Sequence, residues 1–192
     1  MKRKCTLCIT LILFISQISF AQIRFPVPTG IRADLQKVVD DYPAQFAAIR
    51  GEVVDRNPQS TEYRSKIKIA DADHCSIIAY SSGSKPVYSW QALLYTTEDY
   101  VAAAKKYKWL YQQIKGANLF YLKDQYTLRG NYQEADESRG FAVSTLALVA
   151  PPTQYQKLRV DVSMQFEFPE WKVQLLVYDK ERDDDEAGAG DE

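Results

Sequence analysis

The stretch that decides the fold is LRVDVSMQFEF at residues 158–168, which the dipeptide Pro169-Glu170 joins to WKVQLLVY at residues 171–178. In the first segment every second residue is apolar, and the residues between them are polar or charged. This alternation predicts an antiparallel strand with one buried and one solvent-facing side. The proline predicts a tight reversal, so we expect the two segments to form a hairpin.

Further apolar or alternating segments predict more strands upstream of this hairpin. Turn residues separate several of them, for example Asn57-Pro58 and the serine-rich run around Gly83. The remaining predicted strands cover residues 52–55, 63–69, 75–80, 87–96, 118–128 and 141–149.

Two segments instead have apolar residues at spacings of three and four, which predicts amphipathic helices. The first covers residues 31–49 and contains Pro43, so we expect one kinked helix, or two collinear helices, ending at Gly51. The second begins after Thr96 and ends at Gly116, because glycine commonly terminates helices. The apolar stripe of the second helix consists of Tyr100, Ala103, Ala104, Tyr107, Leu110, Tyr111 and Ile114.

This order of elements predicts an α+β fold, in which two amphipathic helices pack on antiparallel β-meander sheet. Both helices are predicted to end in a similar phrase, Ile49-Arg50-Gly51 and Ile114-Lys115-Gly116. A duplicated helix-plus-meander unit would explain the phrase. A glycine that simply terminates each helix explains it as well.

The first residues of the chain have the pattern of a secretory signal peptide. Lys2, Arg3 and Lys4 precede an apolar run at residues 7–15, and Ser19 and Ala21 fit a cleavage site. We therefore predict a signal peptide at residues 1–21 and an exported protein, either periplasmic or secreted. An uncleaved N-terminal anchor is the alternative.

After the signal peptide we predict one α+β domain at residues 22–180 and a disordered acidic tail at residues 181–192. The tail contains seven of the 25 acidic residues and one arginine, so the domain itself is close to neutral. A neutral domain lacks the basic footprint of a nucleic-acid-binding protein. No other segment is long and apolar enough to predict a membrane span once the signal is removed.

Few residues in the sequence suggest catalysis, and we expect neither a cofactor nor a metal. Two of the three cysteines lie in the signal peptide, which leaves Cys75 without an intramolecular disulfide partner. His74 is the only histidine, and its side chain should point away from that of Cys75 on a strand. One His and one Cys are too few for the usual zinc ligand set.

Carboxylates offer the alternative prediction of a hydrolase. Glu134, Asp136 and Glu137 cluster in the predicted loop at residues 129–140. Glycoside hydrolysis uses a carboxylate pair of this kind. Solvated loop acids account for the same cluster.

One residue breaks the pattern of the second helix. Trp109 lies on the polar side of this helix, with Lys105 and Gln113 one turn away and Gln112 three residues on. An exposed tryptophan among polar residues is typical of an interface. Coverage by residues 22–29, which include Phe25 and Val27, is the alternative.

These patterns lead to a first hypothesis of an exported, non-catalytic binding or interaction domain. Its partner would be an unidentified protein or a small apolar ligand, and the predicted binding residues are Trp109, Lys105, Gln112 and Gln113. The 13 tyrosines suggest core packing or an aromatic ligand cavity. The alternative functions are a carboxylate-dependent hydrolase and a periplasmic chaperone or inhibitor that contacts another protein through a sheet edge.

Overall fold

A computed structural model describes residues 30–81 and 85–180. The predicted signal peptide, residues 22–29 and the predicted acidic tail lie outside these residues. The two helices are α1 (Ile31–Asp40) and α2 (Tyr100–Ile114). The strands are β1 (Arg50–Asn57), β2 (Ser60–Ser65), β3 (His74–Tyr80), β4 (Val87–Thr97), β5 (Asn118–Tyr121), β6 (Asp124–Arg129), β7 (Phe141–Leu148), β8 (Leu158–Glu167) and β9 (Glu170–Asp179).

These strands form one antiparallel sheet in the order β1-β2-β3-β4-β9-β8-β7-β6-β5. The predicted hairpin lies at its centre, where β8 pairs with β9 from Leu158↔Asp179 to Glu167↔Glu170. Strand β9 also pairs with β4, which joins the first four strands to the last five. The α+β class is confirmed.

Helix α2 packs on the three central strands β4, β9 and β8. Its apolar stripe and the inward side chains of those strands belong to one continuous core. Alternation places every second side chain in this core from Leu158 to Met164 of β8, as the sequence predicts, and from Trp171 to Val177 of β9. Among the described residues, no helix is long and apolar enough to cross a membrane.

The first helix is shorter than predicted, because it ends at Asp40. Pro43 lies in a short 3₁₀ turn at Tyr42–Ala44, and Gln45 and Phe46 then have positive φ values. Proline lacks the N–H that a continuing helix would need. The Asp41 carboxylate instead accepts hydrogen bonds from the backbone N–H groups of Ala48 and Ile49, at 2.9 and 3.0 Å.

The apolar residues of the predicted helix are nevertheless in the core. Tyr42, Phe46 and Ile49 are buried by the turns that replace the second half of the helix. A helix and a compact series of turns both bury residues at this spacing, so the pattern predicted the burial correctly and the conformation wrongly.

Gly51 lies in β1 and does not terminate a helix, which corrects the prediction. A Cβ atom at this position would lie 2.7 Å from the backbone oxygen of Arg64 on β2. Close approach of the two strands therefore requires the glycine. The shared phrase that suggested an internal duplication does not mark the same feature twice, and the duplication is not confirmed.

Two predicted strands have different bounds in the structure. Residues 118–128 form a hairpin of β5 and β6, with Leu122 at a φ of 57° in its turn. The strand predicted at residues 63–69 ends at Ser65. The Ser65 hydroxyl donates to the Ile67 carbonyl at 2.8 Å, and it accepts from the indole Nε1 of buried Trp90 at 2.9 Å.

Substitution of Gly130 tests how closely the backbone that follows β6 approaches β7. A Cβ atom here would overlap the backbone oxygen of Thr145 and lie 2.9 Å from the Cα of Leu146. We expect Gly130→Ala to cost about 3 kcal/mol or more of unfolding free energy, because two backbones must move apart. Gly116→Ala is the matched control, since its Cβ meets nothing within 4 Å and only the φ of 71° is unfavourable. Urea unfolding of both variants checks this, and equal losses would contradict it.

Candidate interaction site

Three tyrosines of α2 hold the loop at residues 130–140 against the helix. Tyr111 donates its hydroxyl proton to the Gly130 carbonyl at 2.8 Å, and Tyr100 donates to the Ala135 carbonyl at 2.9 Å. These rings also lie in or against the hydrophobic core. All three tyrosines of α2 therefore pack in or against the core, and core packing is one of the two roles predicted for the tyrosines.

Tyr107 forms a closed cycle of hydrogen bonds at the centre of this contact. Its hydroxyl donates to the Gln133 carbonyl at 3.0 Å, and the Gln133 N–H donates to Ser144 Oγ at 3.0 Å. Ser144 Oγ and the Tyr107 hydroxyl are 2.6 Å apart, which closes the cycle when serine is the donor. Burial raises the pKa of Tyr107 to about 12, so the hydroxyl keeps its proton at neutral pH.

The loop and Tyr100 line an open depression of about 540 Å³. All three carboxylates of the hydrolase hypothesis are here, since Glu134, Asp136 and Glu137 line it. Hydrogen bonds from Ser138 hold the pKa of Asp136 below its usual value. A general acid at neutral pH needs a raised pKa, so Asp136 has the wrong shift for that role.

The outward face of α2 is basic and contains an exposed aromatic ring. The Trp109 side chain is 39% exposed, and the Lys106 Nζ lies 4.3 Å from its ring centroid. Lys105 and Lys108 are exposed beside it, and α2 contains no acidic residue between Tyr100 and Ile114. We call Lys105, Lys106, Lys108, Trp109 and Gln112 the basic face.

The structure brings most of the predicted binding residues together on this face. Trp109, Lys105 and Gln112 are exposed, whereas Gln113 is half-buried on the flank toward α1. There the Gln113 carbonyl accepts a hydrogen bond from the Arg32 Nε at 2.6 Å. The predicted cover by residues 22–29 lies outside the described residues, so the binding role of all four residues stays a prediction.

Lys108 belongs to this face, and the sequence interpretation did not include it. Its Nζ lies 5.9 Å from the ring centroid of Tyr132 in the loop, next to the Tyr107 cycle. The contact joins residues on different elements. Helical periodicity within α2 alone therefore could not predict the contact between Lys108 and Tyr132.

The sequence interpretation also missed the tip of the β8–β9 hairpin. Phe168 was expected to be the last inward residue of the strand, but β8 ends at Glu167 and Phe168 is 89% exposed. Phe166 beside it is 40% exposed. An apolar residue two positions after another continues the alternation, so nothing in the pattern marks where the strand stops.

The remaining candidates for chemistry are separated in the fold. His74 is exposed and Cys75 is buried on opposite faces of β3, as predicted, and burial raises the pKa of the Cys75 thiol. Within residues 30–81 and 85–180, no group of three His, Cys, Asp or Glu side chains is arranged to hold a metal ion.

Asp161 is the most unusual carboxylate of the sheet. It lies on the face opposite α2, between Thr145 of β7 and Leu176 of β9. Its Oδ2 accepts a hydrogen bond from the Tyr178 hydroxyl at 3.0 Å, and its Oδ1 is fully buried. Burial raises the pKa of Asp161, although hydrogen bonding from Thr145 and from Tyr178 acts in the opposite direction.

Tyr107→Phe tests the hydrogen-bond cycle. We expect a loss of about 1–3 kcal/mol in unfolding free energy, because the Gln133 carbonyl loses its donor inside the loop contact. Tyr80→Phe is the control, since that ring is 45% exposed. Equal unfolding midpoints for the two variants in urea would show that the cycle contributes little.

Asp161→Asn tests the buried carboxylate. A raised pKa means that the folded protein keeps this proton to a higher pH than the unfolded chain does. Wild-type stability should therefore fall as the pH rises through the interval above the reference value of 3.8. We expect the variant to gain stability relative to wild type when the pH is raised from about 4 to about 7, because only the wild type has a buried proton to lose.

Urea unfolding at both pH values measures this difference. Asp124→Asn on β6 is the control, because it removes an exposed carboxylate. The same pH dependence in wild type and Asp161→Asn would rule out the effect.

Comparisons of the chain with protein-family models, curated proteins and solved structures find no match.

Proposed function

We propose that the protein is an exported, non-catalytic binding module that recognises an acidic protein surface through the basic face of α2. The signal-peptide pattern of residues 1–21 supports export. The exposed Trp109 supports binding, and it is the observation that carries the proposal.

A tryptophan at this position is suited to protein recognition. The Lys106 ammonium group lies 4.3 Å from the centroid of its large apolar ring, a distance at which a cation is attracted to an aromatic ring. Tryptophan is enriched among the residues that contribute most to binding energy. A partner that covers the exposed indole would remove apolar area from water.

The charges around Trp109 specify the partner's chemistry. Lys106 lies over the ring, Lys105 and Lys108 are exposed on the same helix, and no acid of α2 neutralises these lysines. Complementary potential speeds association and selects the partner. The favoured partner therefore combines carboxylates with an apolar or aromatic side chain.

The two edges of the sheet do not favour the alternative function, in which a strand of a partner protein pairs with a sheet edge. The Gln36 side chain of α1 caps the β5 edge by bonding both the Phe120 carbonyl, at 2.9 Å, and the Phe120 N–H, at 2.8 Å. The β1 edge has two register irregularities and the charged side chains of Glu52, Asp55 and Arg56. Bulges and charges of this kind oppose the addition of another strand.

The hydrolase alternative rests on the depression beside Tyr100, and the carboxylates that line this depression are exposed.

A small apolar ligand would require a cavity lined by apolar side chains. The depression is lined mainly by polar and charged residues, so it fits such a ligand poorly.

A defined peptide tests the basic face. The probe is a fluorescein-labelled decapeptide of alternating Glu and Phe, and its counterpart has Lys in place of Glu. We expect the purified protein to bind the acidic peptide only, and Trp109→Ala to weaken binding about tenfold or more. Lys105→Glu/Lys108→Glu should weaken it similarly, and high salt should weaken the wild-type contact.

Lys123→Glu is the matched control, because it reverses an exposed lysine on the β5–β6 turn outside the basic face. The free energy of unfolding of the tryptophan variants is measured in parallel. We expect Trp109→Ala to cost about 1–2 kcal/mol, against about 3–5 kcal/mol for the fully buried Trp90→Ala. Unchanged affinity in Trp109→Ala, or equal binding of both peptides, would refute the proposal.

A further inference from the structure

The β8–β9 hairpin ends in an exposed aromatic tip, defined here as residues 166–170. Phe168 is 89% exposed, and its ring centroid lies 6.4 Å from that of Phe166. The Phe166 ring contacts buried Trp171 at a centroid distance of 5.0 Å, and Trp171 contacts Tyr100 at 5.3 Å. The exposed rings are therefore connected to the core through Trp171 and form an apolar projection.

Acidic residues surround this tip. Glu167 and Glu170 belong to it, and Glu98 and Asp99 follow Thr97, which pairs with Trp171. The 130–140 loop is also adjacent, since the Phe166 N–H donates to the Gly140 carbonyl at 2.7 Å. That loop adds Asp136 and Glu137 shortly before this glycine.

The basic residues at this end of the molecule do not offset these acids. Arg139 pairs with Asp136 at 3.4 Å, and Lys172 pairs with Glu167. The four remaining acids, Glu98, Asp99, Glu137 and Glu170, leave the end negatively charged. An exposed apolar group inside an acidic ring is thus present on the same molecule as Trp109 inside a basic ring.

We propose that the hairpin tip of one copy of this chain docks on the basic face of another copy. The inference rests on the proposed function of the basic face and names its partner. Phe168 would cover the exposed part of Trp109, and Glu170 and its acidic neighbours would face Lys105 and Lys108. The tip has the carboxylates and the aromatic side chain that the basic face favours.

The contact joins two different surfaces, so it is heterologous. Such a contact forms rings or open chains unless a rotation closes it. One hairpin tip on one helix face buries less area than a standard stable interface, so the association is weak and concentration-dependent. The opposite charges make it sensitive to salt.

Sedimentation equilibrium tests this association on the purified protein. The wild-type average mass should rise with concentration between about 10 µM and 1 mM, a range appropriate for a small interface. Phe168→Ser should weaken the association about tenfold or more. Leu122→Ser is the matched control, because Leu122 is 85% exposed in the turn between β5 and β6.

A charge exchange tests the pairing of the two surfaces. Glu98→Lys/Glu137→Lys/Glu170→Lys replaces three of the four remaining acids, so the tip region becomes basic, and Lys105→Glu/Lys108→Glu makes the helix face acidic. Each variant alone then presents two surfaces of like charge and should stay monomeric. An equimolar mixture restores opposite charges across the contact and should associate again, whereas a monomeric mixture would overturn the inference.

The peptide experiment separates this inference from the proposed function. If the basic face binds the Glu-Phe peptide while the wild-type protein stays monomeric at every concentration, self-docking is wrong and the binding function stands. If Trp109→Ala changes neither peptide binding nor the average mass, both are wrong. Association that Phe168→Ser leaves unchanged would also reject the hairpin tip as the docking element.

Discussion

Burial of the apolar stripe of α2 on strands β4, β9 and β8 is the constraint on which the rest of the structure depends. The helix has one apolar side, and apolar area gains about 25 cal/mol per Å² when it leaves water. With Tyr107, Leu110 and Ile114 facing the sheet, Trp109 and the lysines of α2 must face outward. The basic face is thus a consequence of how the core is packed.

The same helix also positions the loop and the acidic end of the molecule. Tyr100, Tyr107 and Tyr111 reach past the core to bond backbone carbonyls of the loop. Each is apolar enough to be buried and still carries a hydroxyl that can satisfy a buried carbonyl. The loop is fixed by these bonds, and its acids consequently lie close to the hairpin tip.

Two surfaces of opposite charge therefore coexist on a chain whose net charge is only −1. Composition averages over the chain and hides this separation. Acids of the tip region come from four places in the sequence: just before α2, in the loop, at the end of β8 and at the start of β9. The lysines, in contrast, lie between residues 105 and 108 of one helix, so the sequence shows that they are close together.

The sequence by itself determined the α+β class, the central hairpin and the course of α2. Their apolar periods repeat for long enough to specify one conformation, as in Leu158 to Met164. It also placed Trp109 on the polar side of its helix. The short apolar runs around Pro43 and Leu122 were compatible with more than one conformation, and there the predictions were wrong.

Only the tertiary structure decided the end of β8 at Glu167, the exposure of Phe168 and the position of Lys108 beside Tyr132. These features depend on which elements lie next to each other. Local periodicity reports which side of an element is apolar, but the contacts between elements decide which apolar residues are covered.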